Sequence, residues 1–219
     1  MKNGRRFVKL MLFDLDGTLV DSKKDITDAV NHALNEVGLE QKDPDEISSY
    51  IGTGVKDLIS KSLGEKADKT IFDKVLSAFE KYFAEHYADN SRLYEGVREM
   101  LEYFKDKEKA IVTNRNYIYA VLTMKKLGIY GFFKKIIGGD NFRCAKPSSC
   151  PIENVITDIS AEKENIIMIG DMSIDVISGK NAGVLTCAVT YGIGKKEDIL
   201  RAGPDFVIDN ISALKDIIE

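Results

Sequence analysis

Cysteine is scarce in this chain: Cys144, Cys150 and Cys187 are its three cysteines, and no CxxC pair exists. An odd, scattered set gives neither a disulfide framework nor zinc-ligand spacing, and it fits a reducing compartment. Long apolar runs are also missing. Leu10–Leu15 is interrupted by Asp14, and no later stretch reaches eighteen apolar residues. The charges ahead of it (Lys2, Arg5, Arg6, Lys9) therefore lead into a run too short for a signal peptide or a membrane helix. The expectation is a cytoplasmic protein with no membrane span. Charge of one sign is lacking as well. Acidic and basic residues are interspersed and the formal net charge is -4. That balance argues against nucleic acid as the main partner and leaves a small anionic substrate open. No internal repeat or low-complexity segment is present. What remains is a 219-residue globular chain, 44% hydrophobic and 30% charged. It is long enough for one core, or one core and a small accessory lobe.

Apolar periodicity divides the chain in three. Phe7–Phe13 reads as a buried strand ending at Asp14-Leu15-Asp16-Gly17-Thr18. From about Ser22 to Asn90 the spacing is helical throughout. Ile26, Val30, Ala33, Leu34 and Val37 mark one helix, stopped at Gly38. Asp43-Pro44 caps another, and Gly52-Thr53-Gly54 separates two short segments. Ile71, Val75, Phe79, Phe83 and Tyr87 mark a long amphipathic stretch. After Leu93, apolar strands at Ala110–Thr113, Lys135–Ile137, Ile166–Ile169, Leu185–Val189 and Phe206–Ile208 alternate with helices. This predicts an α/β fold, a parallel Rossmann-like sheet covered by helices on both faces, with an inserted all-helical cap. The expected division is 1–20 plus 92–219 for the core and 21–91 for the cap.

Two strand ends carry paired carboxylates: Asp14 and Asp16 after the first strand, Asp171 and Asp175 after the strand at 166–169. The carboxyl edge of an open α/β sheet is where ligands bind. A carboxylate there is costly unless paired, hydrogen-bonded or metal-bound. Gly17 permits a tight turn and Thr18 offers a hydroxyl. Four aspartates supply the oxygen donors that magnesium prefers while it keeps waters and meets substrate phosphate. Helix capping by these acids is the plain alternative. Thr113 and Asn114 end another strand and Lys146 lies in a loop before Pro147. Together they offer hydroxyl, amide and ammonium donors for a phosphoryl group.

These motifs, in this order, resemble the haloacid dehalogenase-like (HAD) phosphatases. The run Phe13-Asp14-Leu15-Asp16-Gly17-Thr18-Leu19-Val20-Asp21-Ser22 matches the first motif, Thr113-Asn114 the second, Lys146-Pro147 the third and Gly170-Asp171-Met172-Ser173-Ile174-Asp175 the fourth. The helical insert resembles the cap of the phosphoglycolate phosphatase-like branch. The resemblance implies a magnesium-dependent phosphatase acting through an aspartyl-phosphate, with phosphoglycolate as one candidate substrate. Asp14 would be the nucleophile and Asp16 the acid and base. Asp14, Asp16 (by its carbonyl), Asp171 and Asp175 would hold the metal. Gly17, Thr18, Thr113, Asn114 and Lys146 would bind phosphate, and Thr53 and Lys56 would read the substrate from the cap. The third motif departs from the family pattern: the proline expected soon after Lys146-Pro147 appears only at Pro151.

Three rival readings stay open. A hexose-phosphate mutase of the beta-phosphoglucomutase type would share every core residue. A pyrophosphatase or nucleotidase would share the hydrolytic chemistry. A phosphate-responsive signalling module would need a persistent phosphoaspartate, which Asp16 opposes. Phe72, Phe79, Phe83 and Tyr87 read as cap core, Cys144 and Cys150 as semi-buried thiols, and His32 and His86 carry no catalytic task. The sequence is compatible with a monomer or a homodimer.

Overall fold

The computed structural model describes residues 5–64, 68–140 and 145–219. Its centre is β1 (Leu10–Phe13), four residues that are all buried. Alternate side chains go to opposite faces: Met11 and Phe13 join one apolar cluster, Leu10 and Leu12 another. A strand apolar on both sides needs helices above and below, and both layers are present. Val97, Met100 and Leu101 of α5 (Val97–Tyr103) and Ala120 and Met124 of α6 (Tyr117–Lys126) cover the first face. Ile152 and Val155 of α7 (Cys150–Ile159) cover the second.

The sheet has six strands. With β4 (Glu108–Val112), β5 (Lys135–Ile137), β6 (Ile166–Gly170), β7 (Leu185–Val189) and β8 (Phe206–Ile208), the order is β5-β4-β1-β6-β7-β8. Every pairing is parallel. β1 lies in register with both neighbours, Leu10 opposite Glu108 and Ile166, Phe13 opposite Ile111 and Ile169. The chain builds outward first to one side of β1 and then to the other. The topological switch point therefore falls between β1 and β6, where a doubly wound sheet opens a crevice at its carboxyl edge.

The helical segment leaves and rejoins this sheet through a two-stranded antiparallel ribbon. Val20 pairs with Leu93 and Asp21 with Arg92, in β2 (Val20–Asp21) and β3 (Arg92–Leu93). Between them lie α1 (Lys23–Glu36), α2 (Pro44–Ser48), α3 (Val55–Leu63) and α4 (Lys69–His86). They share a separate apolar cluster that includes Ile26, Val30, Ile47, Ile59, Val75, Phe79 and Phe83. Asp43 and Asp68 accept backbone N–H groups at the starts of α2 and α4, the first as Asp43-Pro44 predicts. Buried Asp25 ties the two ends of this segment: it accepts from Asn90 N and Nδ2 at 2.8 Å and from Ser91 Oγ at 2.6 Å.

Several expectations are corrected. β1 starts at Leu10 and not at Phe7, a residue that is 58% exposed. The ribbon β2–β3 and the short helix α9 (Lys196–Ala202) are not foreseen from periodicity. Cys150 is disulfide-bonded, against the reading of a thiol there, whereas Cys187 is free and buried. Cys144 lies outside the described residues. Among the described residues no helix is long and apolar enough to cross a membrane.

Candidate active site

Three loops converge at the carboxyl edge of the sheet. Asp14 follows β1 directly, and its N–H donates to Ile169 O at 2.9 Å, which carries the sheet register one residue further. The loop then turns at Gly17, with φ +83°, where a Cβ would collide with the Asp171 carboxylate. Glycine is required there both for the backbone and for the space. The Gly17 N–H donates to Val20 O at 2.9 Å and the Thr18 hydroxyl to Asp171 Oδ1 at 2.9 Å. Both expected phosphate donors thus brace the loop.

Asp171 follows β6 and is fully buried. Its Oδ2 accepts from Ile193 N at 2.8 Å and Gly194 N at 3.2 Å. Asp175 lies in the first turn of α8 (Ser173–Ala182) and accepts from Met172 N at 2.9 Å. Asp171 precedes the helix, so a shared helical face is not what brings these two acids together. Gly170, the last residue of β6, leaves room for this, since a Cβ there would collide with the Asp175 carboxylate. Lys146, almost wholly buried, places Nζ 2.7 Å from both Asp14 Oδ1 and Asp175 Oδ1.

Carboxylate oxygens of Asp14, Asp171 and Asp175 all lie within 4.8 Å of one another. Burial pushes Asp14 up to about 8; Lys146 opposes the shift, and the charges of Asp175 and Asp171 add to it. Burial, and then Asp175, push Asp171 up to about 7, opposed by the Ile193 and Gly194 amides and the Thr18 hydroxyl. Burial disfavours the Lys146 ammonium, but Asp14 and Asp175 more than offset this and raise its pKa. Three crowded carboxylates with one ammonium leave an excess of buried negative charge built from hard oxygen donors. That donor set fits a divalent cation.

Asp16 is held apart from this trio. Its Oδ2 accepts from Arg115 Nε at 2.8 Å, Arg115 Nη2 lies 2.7 Å from its Oδ1, and the Ser22 hydroxyl also donates to Oδ1. Arg115 Nη1 donates to Thr123 Oγ1 at 3.0 Å, and the guanidinium lies over the Phe83 ring at 5.5 Å. Nε and Nη2 thus meet the two carboxylate oxygens of Asp16 side by side, and the arginine side chain is almost wholly buried. Motif spacing does not single out Arg115; its one signal in the sequence is its place just past a strand end at this sheet edge.

Asn114 is a strut. Its Nδ2 donates to Gly52 O at 2.9 Å and Lys146 O at 3.0 Å, and its Oδ1 accepts from Lys146 N at 2.9 Å. It thereby joins the helical segment, the Lys146 loop and β4. Thr113 Oγ1 accepts from Arg115 N at 3.1 Å, which leaves its own hydroxyl proton to donate. Above these residues lies a cavity of about 110 Å³. Asp14, Asp16, Thr113 and Arg115 form its floor, and Ile51, Val55, Leu58, Phe79, Glu80 and Phe83 face them from the helical segment. Phe79 and Phe83 serve both as core of the helical cluster and as cavity wall. Thr53 and Lys56 are exposed and line no part of the cavity; Thr53 donates to Asp57.

Residues 11–189 match the sequence model of the family described as haloacid dehalogenase-like hydrolase. The phosphoglycolate phosphatase of Aquifex aeolicus is 33% identical, with 97% of each chain aligned. The phosphoglycolate phosphatase of Chromobacterium violaceum is 31% identical over 98% of each. The crystal structure of a predicted phosphoglycolate phosphatase from Haemophilus somnus superposes with a TM-score of 0.90 at 28% identity, covering 95% of this chain and 96% of that one. With the motif residues gathered at one sheet edge and a family match across most of its length, the chain belongs to the haloacid dehalogenase-like hydrolases.

Proposed function

We propose that this protein is a magnesium-dependent phosphatase that hydrolyses a small phosphate monoester through an aspartyl-phosphate on Asp14. One observation carries the reading. Asp14 opens into the cavity with a buried lysine 2.7 Å from one of its oxygens and two more buried aspartates within 4.8 Å. A carboxylate so placed can attack phosphorus while neighbouring charge compensates the approach of two anions. Relatives named phosphoglycolate phosphatase support the choice of a small phosphate ester.

In the proposed sequence, an Asp14 oxygen forms a bond to phosphorus as the ester P–O bond breaks. Asp16 gives a proton to the departing alcohol oxygen. Asp16 then takes a proton from a water molecule, which attacks the aspartyl-phosphate, releases inorganic phosphate and restores Asp14. Lys146 balances charge on Asp14 and the phosphoryl group, and Thr113 donates its hydroxyl to a phosphoryl oxygen. Gly17, Thr18 and Asn114 hold the surrounding loops. Asp14, Asp171 and Asp175, with the Asp16 carbonyl, would hold magnesium, which when bound shields the approaching anions and stabilises the transferring group. We assign residues 21–91 as a cap over a catalytic core of 1–20 and 92–219, supported by the separate apolar cluster of the helices. Thr53 and Lys56 are left with no contact role in this geometry.

The test is phosphate release from a panel of small esters with magnesium present, run beside Asp14→Asn. Selective release that the substitution abolishes is expected. Equal turnover by Asp14→Asn would remove the nucleophile. Isomerised sugar phosphates without net phosphate release would replace the hydrolase with a mutase.

A further inference from the structure

Asp16 stands apart from the three aspartates suited to a divalent cation, although it is only two residues from Asp14. A free carboxylate on that loop would be drawn toward the cation as a further oxygen ligand. Two side chains hold it elsewhere. The Arg115 fork reaches both oxygens, Nε to Oδ2 at 2.8 Å and Nη2 to Oδ1 at 2.7 Å, and the Ser22 hydroxyl adds a second donor on Oδ1. Two-point pairing of this kind fixes the plane of a carboxylate as well as its position.

Arg115 has little freedom of its own. Nη1 donates to Thr123 Oγ1, on a fully buried residue of α6, and the Phe83 ring of α4 lies over the guanidinium at 5.5 Å. Only 5% of the arginine side chain is exposed. It is thus anchored to the sheet layer on one side and to the helical segment on another. An ionised carboxylate accepts about four hydrogen bonds, roughly two on each oxygen. Among the described residues, Oδ1 has both positions filled, by Arg115 and Ser22, and Oδ2 has one filled, by Arg115. Asp16 lines the cavity, so the remaining position on Oδ2 is the one left for a substrate.

We propose that Arg115 is a positioning residue, which with Ser22 keeps the Asp16 carboxylate away from the cation site and presents Oδ2 alone to the leaving oxygen. The inference rests on the phosphatase reading and deepens it. In the first step the proton on Oδ2 passes to the ester oxygen as the P–O bond breaks. In the second, Oδ2 takes a proton from the water whose oxygen bonds to phosphorus. Arg115 acts through Asp16.

The experiment compares two phosphates of nearly equal size. Ethyl phosphate has a leaving oxygen that needs a proton; acetyl phosphate loses a stable carboxylate that needs none. In Arg115→Met, kcat/KM should fall about tenfold or more for ethyl phosphate and stay within about threefold for acetyl phosphate, because positioned proton transfer is worth a factor of about 10²–10⁴. Arg115→Lys puts one ammonium in place of the fork and should recover only part of the loss. It keeps the buried charge, and it carries the same comparison if Arg115→Met does not fold. An arginine with a structural role alone would lower both rates together. That result, or no fall for either phosphate, would overturn the assignment and leave the phosphatase reading standing. Crystal structures of wild type and variant with magnesium and inorganic phosphate give an answer without turnover. Asp16 should keep its place in wild type and turn toward the cation in the variant, and an unmoved Asp16 carboxylate would overturn the assignment. Turnover of neither phosphate by wild type would remove the phosphatase reading for such substrates, and the two crystal structures would then decide the role of Arg115.

Discussion

Adding magnesium should raise the unfolding temperature of this protein, and Asp14→Asn should abolish most of that gain. Three carboxylates within 4.8 Å share one ammonium. Two unit charges at that separation repel by about 3.5 kcal/mol at an effective dielectric constant of about 20. A divalent cation among them turns repulsion into attraction in the folded state only, since the unfolded chain scatters the three residues. Saturation a hundredfold above Kd stabilises the fold by about 2.7 kcal/mol. For a chain of this size that corresponds to roughly 5–10 °C. Thermal unfolding followed by circular dichroism, in chelator and in excess magnesium, reads the shift directly. Asp14→Asn removes one ligand charge, so its shift should be less than half that of wild type. It should not lower the melting point in chelator, because it also removes one member of the repelling set. Equal magnesium shifts in the two proteins, or none in wild type, would refute the reasoning.

Other perturbations separate strong contacts from weak ones. Gly17→Ala places a methyl group against the Asp171 carboxylate at a positive φ; it should cost about 1–3 kcal/mol in urea unfolding and remove turnover. Asp25→Ala strands the Asn90 and Ser91 donors at the neck of the helical segment and should cost about 2–4 kcal/mol. Arg92→Ala breaks the neighbouring Arg92–Asp21 pair, yet the arginine is 78% exposed, so the loss should stay under about 1 kcal/mol. A large destabilisation there would mean that the ribbon depends on charge and not on backbone pairing.

Where the chain advertises its environment, the sequence is enough. β5, β7 and β8 occupy the residues expected, because a short apolar run between turns has few ways to be buried. Asp14, Asp171 and Lys146 meet because each stands just beyond such a strand or in a loop at the same edge. Periodicity fails where too few residues repeat. Two-residue strands such as Val20–Asp21 have no period at all, and Lys196–Ala202 offers little more than Ile199 as a buried anchor. Phe7 reads as strand because its hydrophobicity is visible and its exposure is not. Arg115 eluded the reading for a different reason. A charged residue after a strand is ordinary by itself, and its partners Asp16, Thr123 and Phe83 are 99, 8 and 32 positions away in sequence.

The central place of β1 bears on how the chain acquires its shape during synthesis. Its partners begin at Glu108 and Ile166, so the strand has no neighbour to pair with until the first of them has emerged from the ribosome. The four helices that follow it pack largely on one another, α1 with α4 above all, and can assemble while β1 is still unpaired. The ribbon at Val20–Asp21 and Arg92–Leu93 then brings the flanking segments side by side, shortening the search for the first long-range pairing. Until that moment four consecutive apolar residues with open backbone edges stand exposed, a segment that chaperones would recognise.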